Sequence, residues 1–182
     1  MTTNSRGYFG IGVEGISKAM NAGSIMRSAH AFGASFVFTV GAVYQQNEGG
    51  KSDTSDALAQ LPLYEFDDAA SLRLPKGCSL VGVELIDGAA DLPSFRHPGR
   101  CAYVLGPERG SLSAELLDLC DHKVKIPTQF CVNVGVAAAI VMYVRTLSLG
   151  RYAPRPVRSG GPTEALPVHE FGEPVMRRKR QR

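Results

Sequence analysis

The chain contains no tryptophan, no Cys-x-x-Cys pair, no internal repeat and no apolar run near the ~20 residues that a membrane-spanning helix requires. Behind the first residues, Met1 to Arg6, there is no apolar segment of the kind that directs secretion. Cys78, Cys101, Cys120 and Cys131 are scattered. Three of them sit in or beside apolar runs, where a reduced, buried thiol is the ordinary state. A disulfide framework is therefore excluded. His30, His97, His122 and His169 have no spacing that suits a metal, which argues against a zinc site. Together these absences point to a cytoplasmic protein that folds without disulfides, metal or membrane.

What is present is a chain of 182 residues, 44% hydrophobic, enough for one globular domain with a sizeable core and a tail. The expected boundary is Gly150, with a folded domain over 1–150 and a Pro/Gly-rich basic tail over 151–182. The tail carries eight basic and three acidic residues, whereas 1–150 carries twelve and fourteen. It ends in Arg177, Arg178, Lys179, Arg180, Gln181 and Arg182. A basic tail on a near-neutral body fits a polyanionic partner, and its prolines and glycines discourage a core of its own. The alternative is a solvated terminus that only aids solubility.

Along the first 150 residues, apolar runs alternate with helical patterns. Strands are expected at Phe9–Val13, Ser35–Gly41, Ser79–Leu85, Arg100–Leu105 and His122–Ile126. Helices are expected at Asn21–Ala34, at Leu112–Cys120 behind a Ser111 cap, and at Asn133–Leu149. Asp67–Arg73 reads as a further short helix, Tyr44–Ser55 as an exposed loop and Asp56–Leu61 as a helical turn. Strands alternating with helices imply α/β architecture, a mostly parallel sheet covered on both faces.

Three stretches carry candidate chemistry. In the first, Asn21 stands where a helix cap is expected, and Arg27 lies six residues on, between Met26 and Ala29 of an apolar face. An arginine there must find an anion or snorkel outward, and its planar fork suits phosphate oxygens. A structural salt bridge is the alternative. In the second, an apolar strand stops abruptly in Leu105-Gly106-Pro107-Glu108-Arg109-Gly110. Strands that stop in glycine bring backbone close to a ligand or into a tight turn. In the third, Ile126-Pro127 ends another strand and Asn133 opens a helix of small residues, Gly135 and Ala137 to Ala139. Two strands ending in special backbone on one side of a sheet mark where an open α/β protein places a ligand.

Taken together, the order and spacing of these stretches resemble the three motifs of the TrmH/SpoU family of RNA ribose methyltransferases, within the SPOUT superfamily. The resemblance covers residues 8–150. It implies a deep trefoil knot in the C-terminal part of the sheet, an exception to the rule against knots. It also implies S-adenosyl-L-methionine as cofactor, RNA (tRNA or rRNA) as substrate, and a homodimer whose active sites draw on both subunits. The cofactor residues so implied are Glu84, Leu105, Gly106, Glu108, Gly110, Ile126, Pro127 and Val132. The implied catalytic residues are Asn21, Arg27, Glu108 and Asn133. Arg27, Arg109 and the tail residues Arg177, Arg178, Lys179 and Arg180 are the implied RNA contacts. Asn133 is expected to hold Glu108 or Arg27 through its amide, and Glu108 to position Arg27 or the neighbouring subunit. Because arginine keeps its proton in proteins, orienting a phosphate beside the target ribose is the role expected of Arg27. Where the family usually carries a serine two residues before the asparagine, this chain has Cys131, a weaker hydrogen-bond donor. Rival readings are a knotted base methyltransferase and an inactive RNA-binding homologue; the Arg27 and Asn133 pattern argues against the first, and retention of Asn21, Arg27, Glu108 and Asn133 against the second. The chain begins almost at the first strand, which favours a small accessible substrate such as a tRNA loop.

Overall fold

A computed structural model of the chain describes residues 7–43, 61–150, 152 and 159–161. The chain divides at Gly150 into two units, and the fold below is that of the first. The expected loop at Tyr44–Ser55, most of the turn at Asp56–Leu61 and nearly all of the tail lie outside the described residues.

Seven strands form one sheet: β1 (Tyr8–Glu14), β2 (Phe36–Val40), β3 (Leu63–Phe66), β4 (Ser79–Val83), β5 (Ala90–Asp91), β6 (Arg100–Leu105) and β7 (His122–Lys125). Their order is β3-β2-β1-β6-β4-β7-β5, and every neighbouring pair is parallel. Among the described residues, three α-helices accompany them: α1 (Ala19–Phe32), α2 (Ala114–Leu119) and α3 (Val134–Leu149). A 3₁₀ turn, Leu92–Ser94, follows β5.

The period of two in β1 explains the two-faced core. Phe9, Ile11 and Val13 point to one face and meet α1 and α3 through Ile25, Ala29, Ala138 and Val141. Gly10 and Gly12 point to the other, and their missing side chains make room for the rings of Phe36 and Phe38, which a Cβ would strike at 2.2 and 2.4 Å. There Phe36, Phe38, Leu80 and Val104 pack with Leu112 and with Leu116 of α2. A parallel sheet with helices on both faces is thus what the alternation of apolar runs implied.

Several expectations need correction. Helix α1 starts at Ala19 rather than Asn21, so Asn21 is a buried first-turn residue and Lys18 is the cap position. Gly33 ends the helix in the left-handed region, as expected of a glycine there. Helix α2 is shorter than Leu112–Cys120, and its cap is Ser113, whose hydroxyl accepts from Leu116 N–H at 3.2 Å. Asp67–Arg73 is not a helix. The Asp68 carboxylate accepts from Ser71 N–H at 2.7 Å while the Ser71 hydroxyl donates to Asp68 carbonyl at 2.8 Å, and this local competition closes a turn instead. The edge strands β3 and β5 carried no readable pattern, being four and two residues long.

Candidate active site

Strands β1, β4, β6 and β7 all end on one edge of the sheet, and the loops that follow them converge on a cleft of about 290 Å³. That volume is at the small end of the range for ligand sites. The cleft brings together Glu84, Leu105, Gly106, Glu108 and Gly110 from the loops after β4 and β6. It adds Ile126, Val132 and Asn133 from the segment after β7, and Asn21 from α1. Pro127 lies between the lining residues Ile126 and Thr128 without lining the cleft itself. Arg109 is exposed and borders an adjoining hollow of about 320 Å³ with Ser17 and Lys18.

The Glu108 carboxylate is the hub. One oxygen accepts from Lys18 N–H at 3.0 Å and from the Asn21 amide at 3.0 Å. The other accepts from Ser17 N–H at 3.2 Å and the Ser17 hydroxyl at 3.1 Å. These backbone donors lead into the start of α1, which has no side-chain cap of its own. A carboxylate from 90 residues away therefore does the capping, where the helix dipole favours negative charge. Burial works against the charged form of Glu108. The hydrogen bonds from Asn21 and from the backbone of Glu108, Ser17 and Lys18 outweigh it and hold the carboxyl below its usual value.

Asn21 passes the connection on. Its carbonyl oxygen accepts from the Asn133 amide at 3.1 Å, and the Asn133 oxygen caps α3 by accepting from Gly135 N–H at 2.9 Å. Asn133 thus reaches Glu108 only through Asn21, which corrects the expected direct contact. Within its own chain Glu108 touches Ser17, Lys18 and Asn21 and not Arg27.

Two further carboxylates fix the glycine loop. Glu84 accepts from Leu112 N–H at 2.8 Å and from Leu85 N–H at 2.9 Å. Glu14, at the end of β1, accepts from Ser113 N–H at 2.7 Å. Sequence reasoning missed Glu14, although a lone acid ending an apolar strand was a usable signal. Gly106 sits beneath this clamp. A Cβ there would lie 2.9 Å from Leu112 N and 3.2 Å from a Glu84 carboxylate oxygen, so only glycine lets the loop close. Gly110 has φ of 125°, where side chains are strained.

Arg27 is where the expectation fails most plainly. It is exposed, on a stripe with Met20 and Ser24, rather than on the apolar face made by Ala22, Ile25, Met26 and Ala29. One hundred degrees per residue puts position 27 in line with 20 and 24, not between 26 and 29. It does not line the cleft of its own chain. Cys131 is exposed and does line it.

Residues 9–143 match the SpoU rRNA Methylase family. The chain belongs to that family. It is 30% identical over 146 residues to the mouse tRNA (guanosine(18)-2′-O)-methyltransferase TARBP1, a match covering 74% of this chain and 9% of the mouse protein. Among solved structures, the SpoU methyltransferase AviRb from Streptomyces viridochromogenes, in complex with AdoMet, is 26% identical with a TM-score of 0.70. That match covers 80% of this chain and 60% of AviRb. A structure described as giving insight into 2-OH methylation of C/U34 on tRNA is 22% identical with a TM-score of 0.68, covering 79% of this chain and 97% of that one. This SpoU chain therefore spans less than two thirds of the first two relatives, and with the third it shares a fold. Among its described residues, no helix is long and apolar enough to cross a membrane.

Proposed function

We propose that this SpoU family chain is an S-adenosylmethionine-dependent RNA methyltransferase acting on a ribose 2′-hydroxyl of tRNA or rRNA. The observation that carries the reading is the continuous hydrogen-bonded chain Lys18–Glu108–Asn21–Asn133, which ties three strand-end loops around one cleft. The 2′-hydroxyl target is supported by the mouse relative, named for 2′-O methylation, and the cofactor by AviRb, solved with AdoMet.

The cleft fits such a cofactor. Its floor is backbone at the ends of three strands, cleared of side chain at Gly106, with the Glu84 carboxylate beside it. Leu105, Gly106, Ile126 and Val132 would hold the adenosyl group, mainly through backbone. When bound, S-adenosylmethionine supplies a methyl group already activated by its sulfonium. The protein then has position and field to add. Glu108 and Asn21 keep the loops closed, so their hydrogen-bonding capacity is largely committed to architecture. Arg27 and Arg109 are left to engage RNA phosphates and orient the ribose.

Arg27 on the exposed stripe of α1 is best used by the cleft of a second copy, which makes the enzyme a homodimer with shared sites. Met20 at 71%, Val136 at 51% and Tyr143 at 54% exposure supply an apolar surface on the mutually packed α1 and α3. Along α3, Ala137 and Val141 face the chain's own core, Ile140 and Val144 pack partly against it, and Val136 remains for a partner. The strand order supports a trefoil knot, because β6 returns between β1 and β4 and β7 then enters between β4 and β5 before α3 packs on α1. In this reading the enzyme is cytoplasmic, residues 1–150 are the catalytic domain, and the 151–182 tail adds non-specific phosphate contacts.

Calorimetry tests the reading first: S-adenosylmethionine should bind with one site per chain, and absence of binding contradicts it. Sedimentation should give twice the 19.5 kDa chain mass, whereas an active monomer contradicts the shared site. Deleting residues 175–182 should lower the log–log salt slope of RNA binding by about 0.7 to 0.9 for each phosphate that the tail no longer engages.

A further inference from the structure

At the opposite edge of the sheet, the buried stripe of α3 ends in a cation. Val134, Ala137, Ala138, Val141 and Met142 are its apolar members, and the next position on the same face is Arg145, 5% exposed. Its guanidinium donates to the Pro98 carbonyl at 2.6 Å and the Gly99 carbonyl at 3.0 Å. Longer contacts reach the Tyr103 hydroxyl at 3.3 Å, Cys101 Sγ at 3.3 Å and the Tyr8 carbonyl at 3.5 Å. The Phe9 ring lies 5.1 Å away in cation–π range. Every one of these partners is neutral. A buried charge held by neutral groups alone is an expensive device.

The partners show what the device does. Pro98 and Gly99 immediately precede β6, and β6 delivers Leu105, Gly106 and Glu108 to the site. From Gly99 to Leu105 is six residues, about 20 Å of parallel strand. From Arg145 back to Asn133 is twelve residues, about 18 Å of helix. Helix and strand are thus two rods of nearly equal length, joined at one end by Arg145 and at the other by Asn133, Asn21 and Glu108. Between those ends, α3 offers Gly135, Ala137 and Ala138, whose small side chains make shallow ridges that resist sliding poorly.

We infer that Arg145 is a positioning residue: it sets the axial register of α3 against β6 and so places Asn133 opposite Asn21 and Glu108. It touches neither cleft nor substrate. The part of the inference that concerns catalysis rests on the methyltransferase reading; the part that concerns register does not.

Arg145→Lys keeps the charge and loses the fork, and it tests the register with two readouts on protein shown to be folded by a cooperative melt. Amide exchange at Gly135 and Val136, whose N–H groups donate to Asn133, should quicken at least tenfold. The kcat for methyl transfer, per folded molecule, should fall roughly tenfold to a hundredfold, as small misplacements near a reacting centre do. The loss should not add to that of Asn133→Ala in a double variant. A lower melting temperature with unchanged exchange and unchanged kcat would make Arg145 a mere structural anchor and overturn the inference. Should Arg145→Lys not fold, Tyr103→Phe removes one acceptor, leaves the guanidinium in place and carries the same readouts, with the same overturning result. If the wild type transfers no methyl group at all, the functional reading fails, and the exchange experiment still decides the register.

Discussion

The two ends of the sheet are both held by polar side chains, but in opposite ways. At the cleft end an anion, Glu108, gathers donors from backbone and amide in a half-exposed setting. At the far end a buried cation, Arg145, gathers carbonyl acceptors beside the buried Tyr103 and His97. The cleft end leaves room for a ligand and tolerates water, so removing one partner there costs little. At the far end the guanidinium itself is buried, 5% exposed, so a lost acceptor is harder to replace and the cost is larger. Function sits where the network is open, and register is held where it is closed.

On the stability scale, the largest break in this comparison should come from Arg145→Met. It leaves the partly buried Pro98 and Gly99 carbonyls without the guanidinium and should cost about 2 to 3 kcal/mol in denaturant unfolding. A loss below about 1 kcal/mol, the net worth of one ordinary hydrogen bond, would mean that the far end is not closed. Next comes Gly106→Val at the cleft end, where overpacking against Leu112 and Glu84 should cost about 1 to 3 kcal/mol. Calorimetry should then find no cofactor binding. Glu108→Gln keeps the shape and removes the charge that caps α1, for about 1 kcal/mol or less given its exposure.

Acid sharpens the contrast. Burial, and secondly the Arg145 charge, push His97 down to about 4, from 6.5. Between those values the unfolded chain binds a proton that the folded one refuses, so stability falls as pH drops from about 6.5 towards 4. His97→Gln should remove that part of the decline. The lowered Glu108 carboxyl acts later: its contribution is present above the unfolded carboxylate value and disappears as pH falls through the folded one. Thermal melts of wild type and Glu108→Gln should therefore converge only in stronger acid. The smallest effect on folding belongs to Arg27→Ala, within about 0.5 kcal/mol for an exposed side chain. Cofactor affinity should stay unchanged while methyl transfer falls roughly a hundredfold or more, and lysine should rescue it poorly.

The same contrast explains what was legible in the sequence. The cleft end announced itself because its features are local: Gly106 and Pro107 after an apolar strand, and Asn133 before a helix, are read within a few residues. Strands β1, β2, β4, β6 and β7 were found for the same reason, within a residue or two at their ends. What escaped was long-range. Glu14 stands out locally as a lone acid ending an apolar strand, but its partner lies 99 residues away, and Arg145 binds carbonyls 46 and 47 residues back, so neither partner can be read from the neighbouring sequence. Arg27 was placed on the wrong face because a run of Ile, Met and Ala around it looks apolar until its angular positions are counted. The short edge strands β3 and β5 follow from pairing with a sheet already built, which no local propensity encodes.

The most direct test of the proposed activity is transfer of a tritiated methyl group from S-adenosylmethionine to RNA from cells lacking this gene, followed by mapping of the labelled nucleotide. The predicted result is label on a ribose 2′-oxygen, recovered in an alkali-resistant dinucleotide, with most of the transfer lost in Arg27→Ala. Label on a base, or no transfer by a protein that binds the cofactor, would contradict it.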